Sequence, residues 1–128
     1  MRSAFGVSCA VTLAAVTMGC GGSGSTTSPS SPPTATTTIT ITSAGVSPKN
    51  IVVSAGSQVT FINNDSRVHE MDSDPHPEHT DCPPINQVGT LNAGQSRQTG
   101  NLTVVRVCGF HDHLNDSNQS LHGTITIQ

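Results

Sequence analysis

The chain has 128 residues, a formal net charge of −3, only 10% charged side chains and no Trp or Tyr. That length admits one domain behind a leader, and the lack of a basic patch excludes a nucleic-acid partner gripped through its phosphates. Six of the eight acidic residues lie between Asp65 and Asp81, a local field that attracts cations rather than anions.

Residues 1–19 read as a signal peptide. Arg2 supplies a short basic start, and the apolar segment centred on Val11 to Val16 is too brief to span a bilayer once folded. Thr17-Met18-Gly19-Cys20 resembles the lipobox of bacterial lipoproteins, with Thr17 where Leu is usual. The resemblance implies cleavage before Cys20, lipidation of that residue and anchorage of the chain to a membrane. Export to the periplasm or another extracytoplasmic, oxidising compartment follows from either lipidation or ordinary cleavage. Residues 20–37, apart from Cys20 and Ala35, are Gly, Ser, Thr and Pro without apolar periodicity. Such a stretch buries too little surface to offset its ordering entropy, so it reads as a flexible tether.

From residue 38 to 128 the signals are all for strands. Thr38-Ile39-Thr40-Ile41-Thr42 alternates with period two, and Ile51-Val52-Val53 runs into the turn dipeptide Ala55-Gly56. Gln58 to Ile62 is followed by Asn63-Asn64-Asp65, residues suited to a turn. Later strands are expected at Val88 to Leu91, Leu102 to Val107 and Thr124 to Ile127, with breakers at Asn92-Ala93-Gly94 and Thr99-Gly100-Asn101. No segment carries a helical stripe. Short β-branched strands at this spacing predict an all-β Greek-key sandwich or barrel. Its core is small, with Phe61 and Phe110 as its aromatic residues, so a metal or a disulfide would help to hold it.

The chemistry concentrates in two stretches. Cys108-Gly109-Phe110-His111-Asp112-His113 places a thiol, two imidazoles and a carboxylate within six residues, the donor types that bind first-row transition metals. The second stretch, His69 to Cys82, adds His69, Met71, His76 and His79 among the acidic residues. The expectation is that the fold brings the two stretches together around an ion.

The run from Pro48 to Asp65, followed by His69, resembles the first half of the cupredoxin pattern, P-x-x-I-x-V-x-x-G-x-x-V-T-F-x-N-x-D and then a copper-binding His. Gly123-Thr124-Ile125-Thr126-Ile127 is similar to that family's closing strand. The resemblance covers residues 38–128. It implies a cupredoxin-type sandwich, copper ahead of zinc as the bound metal, single-electron transfer and a redox partner protein.

Two alignments of the second half remain open. In one, His69, Cys108 and His111 form the trigonal two-imidazole, one-thiolate set of a blue copper centre. The axial Met is then missing, with Leu121 near its place and Met71 the only other Met of the domain. In the other, Phe110-His111-Asp112-His113 matches the strand end, Asp112 stands at the thiolate position, and Asn115 falls near the second His. Cys108, Phe110 and Asp112 then share one face, and His111 and His113 the other. That leaves a harder imidazole and carboxylate site suited to Cu(II) or Zn(II).

With Cys9 and Cys20 in the leader region, Cys82 and Cys108 form an even pair in an exported chain, which points to a disulfide and competes with a thiolate role for Cys108. The candidate metal residues are therefore His69, Cys108, His111 and His113, with His76, His79, Asp112 and Met71 behind them and His122 set aside as a surface residue. Two other functions compete with copper binding. One is a metal-free interaction module that keeps the fold. The other is a copper enzyme resembling copper–zinc superoxide dismutase, whose Greek-key domain also carries an H-x-H and a disulfide, although that family's spacing and Gly-rich motifs are missing here.

Overall fold

The computed structural model describes residues 31–128. The signal peptide expected at 1–19, the lipidation expected at Cys20 and most of the expected tether lie outside the described residues. Ten strands are present among the described residues: β1 (Thr34–Ala35), β2 (Thr38–Thr42), β3 (Gly45–Ser47), β4 (Asn50–Val53), β5 (Thr60–Asn63), β6 (His69–Ser73), β7 (Gly89–Leu91), β8 (Ser96–Gln98), β9 (Arg106–Asp112) and β10 (Gly123–Ile127). They form a six-stranded sheet in the order β1-β4-β10-β9-β6-β7 and a four-stranded sheet in the order β3-β2-β5-β8. Both sheets are mixed, with β4 parallel to β10 and β2 parallel to β5. The chain crosses repeatedly between sheets, as a Greek-key sandwich requires.

Alternation explains the core. In β2 the residues Ile39 and Ile41 point inward and the three threonines outward; Ile51 and Val53 of β4, Phe61 of β5, and Ile125 and Ile127 of β10 follow the same period of two. Phe61 and Phe110 meet edge to face across the sandwich, ring centres 5.2 Å apart at 85°, a contact worth about 0.5–1.5 kcal/mol beyond its buried area. The all-β sandwich expected from the sequence is the observed one.

Two local expectations need correction, and one strand was not expected. The ordered sheet begins before residue 38, because Thr34 and Ala35 pair in parallel with Ile51 and Val52. The strand expected from Leu102 starts only at Arg106 and runs on to Asp112. Val104 and Val105 are largely exposed (64% and 68%), and ahead of Arg106 Leu102 is held by an isolated bridge to Ser57. Their β-branched character imitates a strand that packing does not support. In addition, His69–Ser73 is a strand (β6) inside the larger sheet, between β9 and the edge strand β7. Its polar sequence hides the inward alternation of His69, Met71 and Ser73.

Candidate metal centre

Strands β6 and β9 are antiparallel neighbours in register Met71↔Asp112, Asp72↔His111 and Ser73↔Phe110. Paired residues share a face. Cys108, Phe110 and Asp112 therefore point into the sandwich with His69 and Met71, while His111 and Asp72 point out of it. Each group of histidines belongs to one of these faces.

On the inner face, His69 is buried and engaged through both nitrogens. Its Nδ1 lies 2.8 Å from Asp112 Oδ2 and its Nε2 lies 3.1 Å from Asp65 Oδ2. The other oxygen of Asp112 accepts from the Glu70 and Leu114 amides at 3.0 and 3.1 Å. Burial raises the Asp65 carboxyl pKa, but hydrogen bonds from Arg67, His69 and the Ser66 amide outweigh it and hold the group down at about 2. A carboxyl so depressed stabilises the fold fully above its ordinary value of 3.8, and that contribution is lost as pH falls through about 2. Acid unfolding followed by circular dichroism should therefore show declining stability over that window, and Asp65→Asn should flatten the decline.

The outer face is different. Residues 74–81 form a loop closed at its neck by the Asp81 amide donating to the Asp74 carbonyl (2.8 Å), and docked on β9 by the Asp74 amide donating to the Gly109 carbonyl (3.1 Å). Asn86 ties the loop to β6, accepting from the Ser73 amide and donating to the His79 carbonyl, each at 2.8 Å. An Arg106–Asp81 ion pair and the Cys82–Cys108 disulfide fasten the departing end. The loop lays His76 and His79 over His111 and His113. The four offer donor nitrogens that all lie within 4.8 Å of one another.

Within that group the nitrogens are oriented. His111, fully buried, turns Nδ1 to Asp74 Oδ1 at 2.7 Å. A carboxylate fixes the proton on the nitrogen facing it, which leaves Nε2 a bare acceptor, and that atom is buried without a hydrogen-bond partner among the described residues. A buried polar atom without a partner is costly, about 1–3 kcal/mol. An ion in reach would supply the missing partner, and the carboxylate behind the imidazole is the usual support for a metal ligand. His79 Nε2 and His113 Nδ1 face each other at 3.2 Å. A tetrahedral site with metal–nitrogen bonds of about 2.0–2.1 Å would set two donors about 3.3 Å apart. His79 Nδ1 stands 3.7 Å from Asp72 Oδ2, a second carboxylate behind a second imidazole. The His79 backbone sits at φ 52°, a region non-glycine residues seldom occupy and which costs of order 1 kcal/mol or more. The Asn86 and Pro75 hydrogen bonds to its carbonyl and amide hold it there.

Gly109 makes room for the supporting carboxylate: a Cβ on its outward face would overlap the Asp74 side chain. Gly109→Ala should push Asp74 off His111 and weaken any metal bound there by about 10–100-fold, the usual effect of losing a ligand's carboxylate support. Calorimetric titration of the variant against the native chain measures this.

The structure divides the expected site residues. His111 and His113 come together with His76 and His79, which the sequence ranked behind them. His69, Asp112 and Met71 lie on the inner face of the sheet and do not join that group. Cys108 is bonded to Cys82, so it offers no thiolate, and the alignment that made it a copper ligand fails on that bond. His122 lies outside the four, its Nε2 donating to the Asp116 carbonyl at 2.6 Å.

No protein-family model matches the chain, and no curated protein does. Solved structures do. A purple cupredoxin from Nitrosopumilus maritimus is 19% identical, covering 73% of this chain and 100% of its own, with a TM-score of 0.57. Oxidised plastocyanin from the fern Dryopteris crassirhizoma is 17% identical over 71% of this chain and 99% of its own, with a TM-score of 0.56. The fold is that of the cupredoxins. An oxidised mutant of amicyanin, 15% identical over 71% of this chain and 80% of its own, with a TM-score of 0.55, shares it. In the second of the two alignments above, the first ligand position is His69 and the thiolate position is Asp112. Here those two side chains bind each other, so this cupredoxin fold lacks the residues for a thiolate copper centre at that place. Four imidazoles, from β9, the turn after it and the loop 74–81, gather over the opposite face of the same two strands.

Proposed function

We propose that this protein is an exported copper-binding protein of cupredoxin fold whose ion is held by His76, His79, His111 and His113. The observation that carries the reading is the gathering of four imidazoles whose donor nitrogens lie within 4.8 Å of one another, one of them, His111, having a buried Nε2 without a hydrogen-bond partner among the described residues. Neutral imidazole suits copper and zinc alike, and copper bound there supplies a Cu(II)/Cu(I) couple without a thiolate. The acidic side chains of Asp72 and Asp74 stand behind two of the ligands and favour a doubly charged ion over a singly charged one. The protein's role on this reading is to hold or deliver copper at the membrane, anchored through Cys20 and its tether. Fast single-electron shuttling to a redox partner, which the family resemblance implies, is disfavoured without the thiolate. The Cys82–Cys108 disulfide accords with an oxidising compartment.

The test is calorimetric and optical titration of the metal-free protein with Cu(II) and Zn(II). One equivalent should bind, and the Cu(II) form should be pale, with no intense thiolate charge-transfer band. Binding no tighter than about millimolar for either ion would instead favour the metal-free interaction module.

A further inference from the structure

The four imidazoles are not equally held, and the difference has a direction. His111 is wholly buried on β9 and backed by Asp74. His79 is fixed through its amide, its carbonyl and the Asp72 carboxylate behind its ring. His113 opens the short turn that follows β9, a turn capped by the Asp112 carboxylate accepting from the Leu114 amide. His76 alone is exposed. It sits between Pro75 and Pro77 on the outer part of the loop, with its ring centre 4.9 Å from that of His113 and 5.4 Å from that of His111. Among the described residues no hydrogen-bonding group stands behind its ring.

Resting on the proposed metal reading, we infer that His76 is the exchangeable ligand through which the ion enters and leaves, the other three forming a fixed cradle. Three protein ligands with one position open to exchange are the arrangement of reactive metal sites, whereas structural sites close all four. Exchange here is a substitution without electron transfer: an incoming donor bonds to the ion as the bond to His76 breaks, and the ion keeps its charge. The chemistry of that donor follows from the loop's charge. Asp74 and Glu78 ride on the same loop as His76, and Asp72 lies beneath it, so an anionic donor is repelled and a neutral one admitted. The natural exchange partner is thus the imidazole of a histidine on a receiving or donating protein.

The test uses the full chain loaded with Co(II) as a spectroscopic probe and with Zn(II) for affinity and release to a chelator. His76→Ala, an exposed substitution, should fold normally and keep one-to-one stoichiometry. Its affinity should fall by about 10–100-fold and its Zn(II) release should quicken at least about tenfold, against a loss of more than about 100-fold for His111→Leu. Imidazole should shift the Co(II) spectrum of His76→Ala and restore slow release, whereas azide at the same concentration should do so far less. Affinity and release unchanged in His76→Ala would show that His76 is no ligand. Complete loss of binding without imidazole rescue would show four equivalent ligands. Either overturns the inference while leaving metal binding by the native chain intact; a native chain that binds neither ion removes the parent reading and this one together.

Discussion

His111→Leu should leave the metal-free protein at least as stable as the native one and abolish its stabilisation by metal. Two effects set the first half of that result. The native ring carries a buried nitrogen without a partner, and leucine fills similar space without that liability, worth about 1–3 kcal/mol. Asp74 loses its contact, but its side chain is 43% exposed and water can take over. The second half follows from mass action. A native chain in ion at a hundred times its dissociation constant gains about 2.7 kcal/mol, whereas the variant, without its best-oriented ligand, should gain almost none. Thermal unfolding with and without Cu(II) reads both halves. A large destabilisation of the metal-free variant would mean that His111 is a packing residue first.

The second large effect concerns the disulfide. Cys82→Ala with Cys108→Ala should cost about 3–4 kcal/mol in denaturant unfolding, the loop-entropy value for a separation of 26 residues. In a small domain that is a large share of a total of about 5–15 kcal/mol. Metal affinity should fall as well, because the bond joins the end of the loop bearing His76 and His79 to the strand bearing His111. The hydrogen bonds from Asp81 to Asp74 and from Asp74 to Gly109 remain, so binding should weaken rather than vanish. Unchanged affinity would show that those hydrogen bonds alone place the loop.

Much of the fold was legible in the sequence because its signal is local. Threonine and isoleucine alternating over Thr38–Thr42, and the run into Phe61, state their strands directly. β6 was harder to see: His69, Glu70, Met71, Asp72 and Ser73 alternate between the two faces of the sheet, but Asp72 is buried as well, and the inward side chains include a histidine and a serine whose burial depends on partners far along the chain. For the site, strand parity around Phe110 separated the face of Asp112 from that of His111, and the cysteine count anticipated the disulfide. Missing was the same parity argument for β6, which sets His69 with Asp112 and away from His111. The part played by His76 and His79 was not legible either, since it rests on how the loop 74–81 folds back over β9. One local clue stood in the sequence: Gly109, two residues before His111 on the same face, where the backbone must admit another group.

The most direct test of the account is the position of the ion itself. Crystals grown with one equivalent of Cu(II) and measured at the copper absorption edge should show one strong anomalous peak, about 2.0–2.1 Å from donor nitrogens of His79, His111 and His113 and within reach of His76. A peak beside His69 and Asp112 on the inner face would contradict the account.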